Sequence, residues 1–244
     1  TEEQIDVGLS TPRVFAPGTN WDYSHTDYVI LGVALEKITG QPLDVALKEQ
    51  VLDPMGLGNT VASLTAEITE PVLHAFTSER RQALGIPNGT RFIEESTYWN
   101  PSWTIAQGAI QTTNIYDLIT TAVAVGEGTL LSPESHQAQL APDLLGFGAP
   151  LEGCPNCHTL DETYNYGLGV VRSGDWILQN PLFAGYGAVT GYLPAEKIAV
   201  AVATTFGEGA FDDQGNYKYS SHSEIFAAIG TYLAPDHPLP TPKP

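Results

Sequence analysis

After residue 163 the spacing of apolar residues changes character, and that change does most to restrict the fold. "YNYGLGVVRSGDWILQN" reads as two strands around Ser173-Gly174. "AVTGYLPAEKIAVAVATTF" reads as two more, turning at Pro194-Ala195. Both runs are rich in Val, Ile and aromatics at strand length. Ahead of them the period is helical. Ser24 reads as an N-cap with Asp27 in the capping-box position. The helix it opens runs from His25 to Thr39, with Tyr28, Leu31, Leu35 and Ile38 toward a core and Gly40 as the C′ residue.

A second helix in "QPLDVALKEQVLDPMGLG" places Leu43, Ala46, Leu47, Val51 and Leu52 on its apolar side. Pro54 and Gly56 are expected to stop it. Thr113 caps a third helix, "NIYDLITTAVAVGEG", and Pro133 opens a short fourth. Ser221 or Ser223 caps a closing helix, "SHSEIFAAIGTYLAP". Residues 1 to 19 read as a loop-rich lead-in and Asn88-Gly89 as a hairpin-type turn. Helices first and an antiparallel meander last predict an α+β protein. The expected division is a mainly helical region over 1–162, strands with a C-terminal helix over 163–235, and an extended proline-rich tail over 236–244.

Charge removes several function classes. With 28 acidic and 10 basic residues the formal net charge is −18, spread along the chain. Such a surface repels nucleic-acid phosphates and anionic lipid. No apolar run of about 18 residues predicts a membrane span. The sequence begins at Thr1 with neither a methionine nor an apolar leader, so removal of the natural start is expected.

Cys154 and Cys157 form a C-x-x-C. That spacing serves a redox pair, half a zinc site with His158 nearby, or a small disulfide. A setting rich in Gly, Pro and Asn favours the disulfide, which suggests a non-cytosolic location. His74, His136 and His222 show no metal-ligand spacing, and "FDDQGN" lacks a full calcium-loop pattern. No metal and no cofactor are expected.

The turn "NWDYSHTDY" sets Tyr23 and His25 two residues apart at a helix entry. Taken alone, Tyr23 reads as a half-buried ring and His25 as a polar first-turn residue. Gly185 and Gly187 read as sites of close backbone approach.

The wider pattern adds to this. "FAPGTNWDYSHTDYVILGVALEKITGQPLDVALKEQVLDPMGLGNT" resembles the serine β-lactamase-like family, which includes class C β-lactamases, penicillin-binding D-Ala-D-Ala carboxypeptidases and related esterases. "AQGAIQTTNIYDL" and "GYGAVTGYLP" are similar to its later segments. The resemblance covers most of residues 10 to 235 and implies that family's α+β fold. It implies acyl transfer by the serine of an S-x-x-K motif on an ester or amide substrate. Tyr23 then matches the motif tyrosine, a general base. His25 matches the motif asparagine. Gly185, Tyr186 and Gly187 match the substrate-binding strand triad, and the Ala188 N–H would serve the oxyanion.

The sequence also departs from the family. No S-x-x-K occurs in the 244 residues, so the nucleophile is expected upstream. Gly185 replaces a cation that normally binds a substrate carboxylate. The expectation is the C-terminal portion of a secreted or extracytoplasmic serine hydrolase. Such a portion is expected to be stable only beside a missing segment, a partner chain or a second copy. The altered "YSH" and "GYG" motifs leave a rival reading, a non-catalytic scaffold or binding protein.

Overall fold

The computed structural model describes residues 1–140, 144–218 and 220–240. The first part is helical: α1 (Glu2–Leu9), α2 (His25–Thr39) and α3 (Leu43–Leu47). The chain continues through a π-helical turn, Lys48–Leu52, into α4 (Asp53–Met55). Two short ribbons follow. β1 (Val61–Ala62) pairs with β4 (Gln111–Thr112), and β2 (Phe76–Thr77) pairs with β3 (Glu94–Glu95). Then come α5 (Ile115–Glu127) and α6 (Pro133–Leu140).

The main sheet is antiparallel and six-stranded. It comprises β5 (Asn165–Tyr166), β6 (Val171–Ser173), β7 (Trp176–Gln179), β8 (Leu182–Phe183), β9 (Tyr186–Leu193) and β10 (Ile198–Thr205), followed by α7 (Ser221–Leu233). Its order is β10-β9-β7-β6-β5, with β8 also on β9. The long pair runs from Ile198↔Leu193 to Thr205↔Tyr186. Strand alternation turns Tyr192 toward Gly126 of α5 and Gly191 toward Phe226 of α7, so helices cover opposite faces. On the α7 face Trp176, Val189, Leu193, Val200, Val202, Phe226 and Ala234 form the core. Trp176 meets Phe226 edge-on at 5.4 Å, the geometry that aromatic quadrupoles favour.

Several local expectations need correction. Residues 2–9 of the lead-in are a helix, with none of its residues buried. The apolar stripe of α2 does not face a core: Leu31 is 50% and Ile38 80% exposed, and Tyr28 is exposed too. Val29 and Gly32 are the buried residues, because the missing side chain at Gly32 lets Ala106 come close. Pro54 does not stop the second helix. It sits in the first turn of α4, where its missing N–H costs little, and Gly56 in the left-handed region ends it.

Asn114, not Thr113, caps α5, because its side chain accepts both the Tyr116 and Asp117 N–H groups. The Thr113 hydroxyl is bonded to that of Thr60 instead. Ser220 stands at the N-cap of α7, with Ser221 already helical. Asn88-Gly89 forms a turn closed by Thr90 N–H on the Pro87 carbonyl, but no strands flank it directly. The described part of the tail folds back: Leu239 packs on the core, and Trp176 Nε1 donates to the His237 carbonyl at 2.9 Å. Residues 241–244 lie outside the described residues. Among the described residues no helix is long and apolar enough to cross a membrane.

Candidate active site

The Tyr23 turn is built by capping. Ser24 is extended (φ −137°, ψ 120°), and its hydroxyl accepts the Asp27 N–H at 3.3 Å. That fixes the first turn of α2 and leaves Tyr23 just outside the helix. The Tyr23 N–H donates to Asp22 Oδ1 at 2.8 Å. The residue is 57% exposed, and its ring stands edge-on to His25, centroids 5.2 Å apart. Tyr23 and His25 are therefore brought together.

A cluster of tyrosines adjoins them. The hydroxyls of Tyr28 and Tyr166 are 2.8 Å apart. Tyr164 lies 6.1 Å from Tyr166 and stacks on Trp21 at 6.2 Å. Burial, then the charge of Tyr166, pushes the Tyr23 phenol above its ordinary value. Burial and the bond to Tyr166 push Tyr28 up as well, and burial takes Tyr164 to about 12. Each phenol thus keeps its proton at neutral pH. Sequence reasoning missed Trp21, Tyr164 and Tyr166, and it read Tyr28 as core. The alternating tyrosines of "TYNYG" are the only local signal for part of the cluster.

The Cys154–Cys157 pair is a disulfide. Both cysteines are buried, and their loop lies against residues 20–22. The Asp22 carboxylate comes within 4.8 Å of both sulfurs. Because the sulfurs are joined to each other, they are not free to ligate a metal. A cleft of about 380 Å³ beside the turn is lined by Arg13, Phe15, Trp21, Asp22 and Asp27. A larger one, about 630 Å³, is lined by residues 64–69 together with Ala62 and Tyr98.

The start of β9 forms a second group. Gly185 has φ +87°, and a Cβ there would stand 2.2 Å from the Phe76 carbonyl oxygen. The Gly185 carbonyl accepts the Phe206 N–H at 2.7 Å. A side chain is thus excluded where the family resemblance places a cation. Tyr186 donates its hydroxyl to the Leu73 carbonyl at 3.0 Å. Gly187 lies against the buried His222, whose Nδ1 would be 2.3 Å from a Cβ.

The Ala188 N–H, expected as an oxyanion donor, donates to the Pro181 carbonyl at 3.0 Å in this structure. The cause is pairing: β8 continues along β9 from Leu182↔Gly187, and Pro181 is carried over Ala188. Among the described residues no hydrogen bond or ring contact joins the Tyr23 turn to Gly185–Ala188.

The family model described as Beta-lactamase matches residues 2–222. The chain is 34% identical over 104 residues to an Escherichia coli O157:H7 protein provisionally named a D-alanyl-D-alanine carboxypeptidase. That match covers 40% of this chain and only 22% of its relative's length. Among solved structures, a D-amino acid amidase from Ochrobactrum anthropi SV3 gives a TM-score of 0.70 at 16% identity, over 97% of this chain and 65% of that one. A D-stereospecific amidohydrolase from Streptomyces sp. gives 0.64 at 20% identity, over 84% and 58%. At these identities the structural likeness concerns the fold.

Proposed function

The chain belongs to the beta-lactamase family, and from that premise we propose that it is the C-terminal portion of a serine hydrolase acting by acyl transfer on an ester or amide. Tyr23 carries the reading. It is an exposed residue on a capped turn, at the position that matches the family's motif tyrosine. In this mechanism a serine outside the 244 residues attacks the substrate carbonyl, and Tyr23 takes the serine proton. The same proton passes to the leaving amine or alcohol, and water then releases the acyl group. Since burial and Tyr166 hold the Tyr23 phenol up, the step needs a cation beside it. The lysine of an S-x-x-K motif would supply it.

The β9 start supports a substrate without a carboxylate. Gly185 offers no cation, and Tyr186 stands near Glu95, whose charge helps to raise its phenol after burial. The net charge of −18 acts in the same direction. An uncharged ester or amide leaving group suits this better than a D-Ala-D-Ala terminus. The disulfide supports an extracytoplasmic setting. A second reading, a non-catalytic relative, is favoured by the bond between Ala188 and Pro181, which occupies the oxyanion donor.

Labelling of the intact protein with a serine-directed phosphonate separates the two. The expected result is an adduct on one serine that is lost in Tyr23→Phe. A folded, intact protein that takes no adduct would establish the non-catalytic reading.

A further inference from the structure

The loop that carries the disulfide closes on the segment before Tyr23 at three consecutive residues. Asn20 makes a two-point contact with Ala149: its Nδ2 donates to the carbonyl at 2.9 Å, and its Oδ1 accepts the N–H at 3.1 Å. Trp21 Nε1 donates to the His158 carbonyl at 2.7 Å, and the ring lies edge-on to His158 at 4.7 Å. The Trp21 carbonyl oxygen is 3.2 Å from Cys157 Sγ. Asn156, inside the disulfide-closed ring, donates its Nδ2 to Asp22 Oδ1 at 3.2 Å. That same oxygen accepts the Tyr23 N–H at 2.8 Å. A continuous line therefore runs from the disulfide through Asn156 and Asp22 to the backbone of Tyr23.

We propose that the Cys154–Cys157 loop is a reducible clamp, with Asn156 and Asp22 as positioning residues that hold Tyr23 in its turn. In the oxidised form the disulfide fixes Asn156, which fixes Asp22. A dithiol reverses this. One thiolate of the reductant attacks a protein sulfur, the S–S bond breaks, and a mixed disulfide forms. The second thiol of the reductant displaces that protein sulfur. Two electrons pass to the protein, leaving Cys154 and Cys157 as thiols and the reductant as a disulfide. With the ring open, Asn156 loses its tether and Asp22 its outer partner. Both cysteines are buried, so the attack requires the loop to lift from Trp21. Loop opening and reduction are thus linked, and the linkage is reciprocal: whatever loosens the loop speeds reduction. The clamp's bearing on catalysis rests on the role proposed for Tyr23; its bearing on the turn does not.

Hydrogen exchange of the intact protein, read by mass spectrometry, tests the clamp. Amides of residues 20–28 are compared before and after dithiothreitol, with thiol titration confirming two free thiols. The Cys154→Ser/Cys157→Ser double variant provides a reduced mimic independent of the reagent. The expected result is exchange at 20–28 about tenfold faster or more, as two fixed hydrogen bonds are lost, with β9 and β10 unchanged. Unchanged exchange at 20–28, or equal acceleration throughout the chain, would overturn the proposal. Asn156→Ala, which leaves the disulfide in place, should speed reduction by dithiothreitol about threefold or more. An unaltered rate would refute the line through Asn156. If the clamp opens as expected but no serine is labelled in either redox state, the acyl-transfer reading fails alone. If labelling depends on Tyr23 while exchange at 20–28 ignores the redox state, the clamp fails alone.

Discussion

Asp117 offers a direct measure of how the helical region is tied together. Its carboxylate is 5% exposed and lies in the first turn of α5. Oδ2 accepts the Asn59 N–H at 2.8 Å and the Thr60 hydroxyl at 2.8 Å, and Oδ1 accepts Asn59 Nδ2 at 3.2 Å. Burial raises its pKa, and the bonds from Thr60 and Asn59 more than offset this, so it sits below the ordinary value. Asp117→Ala removes three charge-assisted bonds and leaves a backbone N–H without its partner. One such bond contributes about 1.5–3 kcal/mol, but the three share a carboxylate and do not add, so the expected loss is about 3 kcal/mol.

For a chain of this length that loss lowers Tm by about 6–12 °C in a calorimetric or denaturant assay. Asp117→Asn should also destabilise, because its amide turns a donor toward groups that donate. A depressed folded pKa means the contribution is present above the unfolded value of about 3.9 and is lost as pH falls through the folded one. The gap between wild type and Asp117→Ala should therefore narrow in acid. A loss below about 1 kcal/mol, or full additivity with Thr60→Val, would refute the shared-carboxylate argument.

Three further outcomes are expected. Gly126→Ala in α5, normally worth up to about 1 kcal/mol of added helix stability, should instead cost about 1–3 kcal/mol. Its Cβ would lie 2.2 Å from the Tyr192 ring, and urea titration reads the sign. Gly185→Lys should lower stability by at least about 2 kcal/mol without creating carboxylate affinity, because φ is +87° and the Phe76 carbonyl fills the space. A stable variant that gains binding to an acyl-D-Ala carboxylate would contradict this. His237 is held above its ordinary value by its bond to Asp175 at 2.7 Å. Its stabilisation of the tail is present below the unfolded value of about 6.5 and is lost as pH rises through the folded one. Proteolysis of residues 236–240 should therefore quicken on the alkaline side, and Asp175→Asn should weaken that dependence, with Glu196 and Asp236 leaving a smaller part of it.

Local chemistry was readable in the sequence, and choices between equivalent local options were not. Ser24 and Gly40 bound α2 as expected, since each satisfies backbone groups next to it. Thr113 and Asn114 are both good caps, and only the longer Asn114 side chain reaches two N–H groups at once. The period of α2 was right while its buried face was wrong, because Gly32 invites Ala106 from 74 positions away. Tyr23 and His25 meet through a short turn and could be paired by inspection. Tyr28 and Tyr166 meet across 138 positions, so no local pattern announces them. The covering of Ala188 by Pro181 depends on how β8 follows β7, a detail of register that composition does not encode.

β10 lies at the margin of the main sheet, and its outer backbone groups have no strand beside them among the described residues. "IAVAVATT" carries no charge to discourage pairing. A bare ribbon of this kind would accept almost any extended segment. Here α5 packs on β10 from one face of the sheet and α7 from the other. The strand is thus held on both faces while its outer edge stays open to main-chain pairing among the described residues.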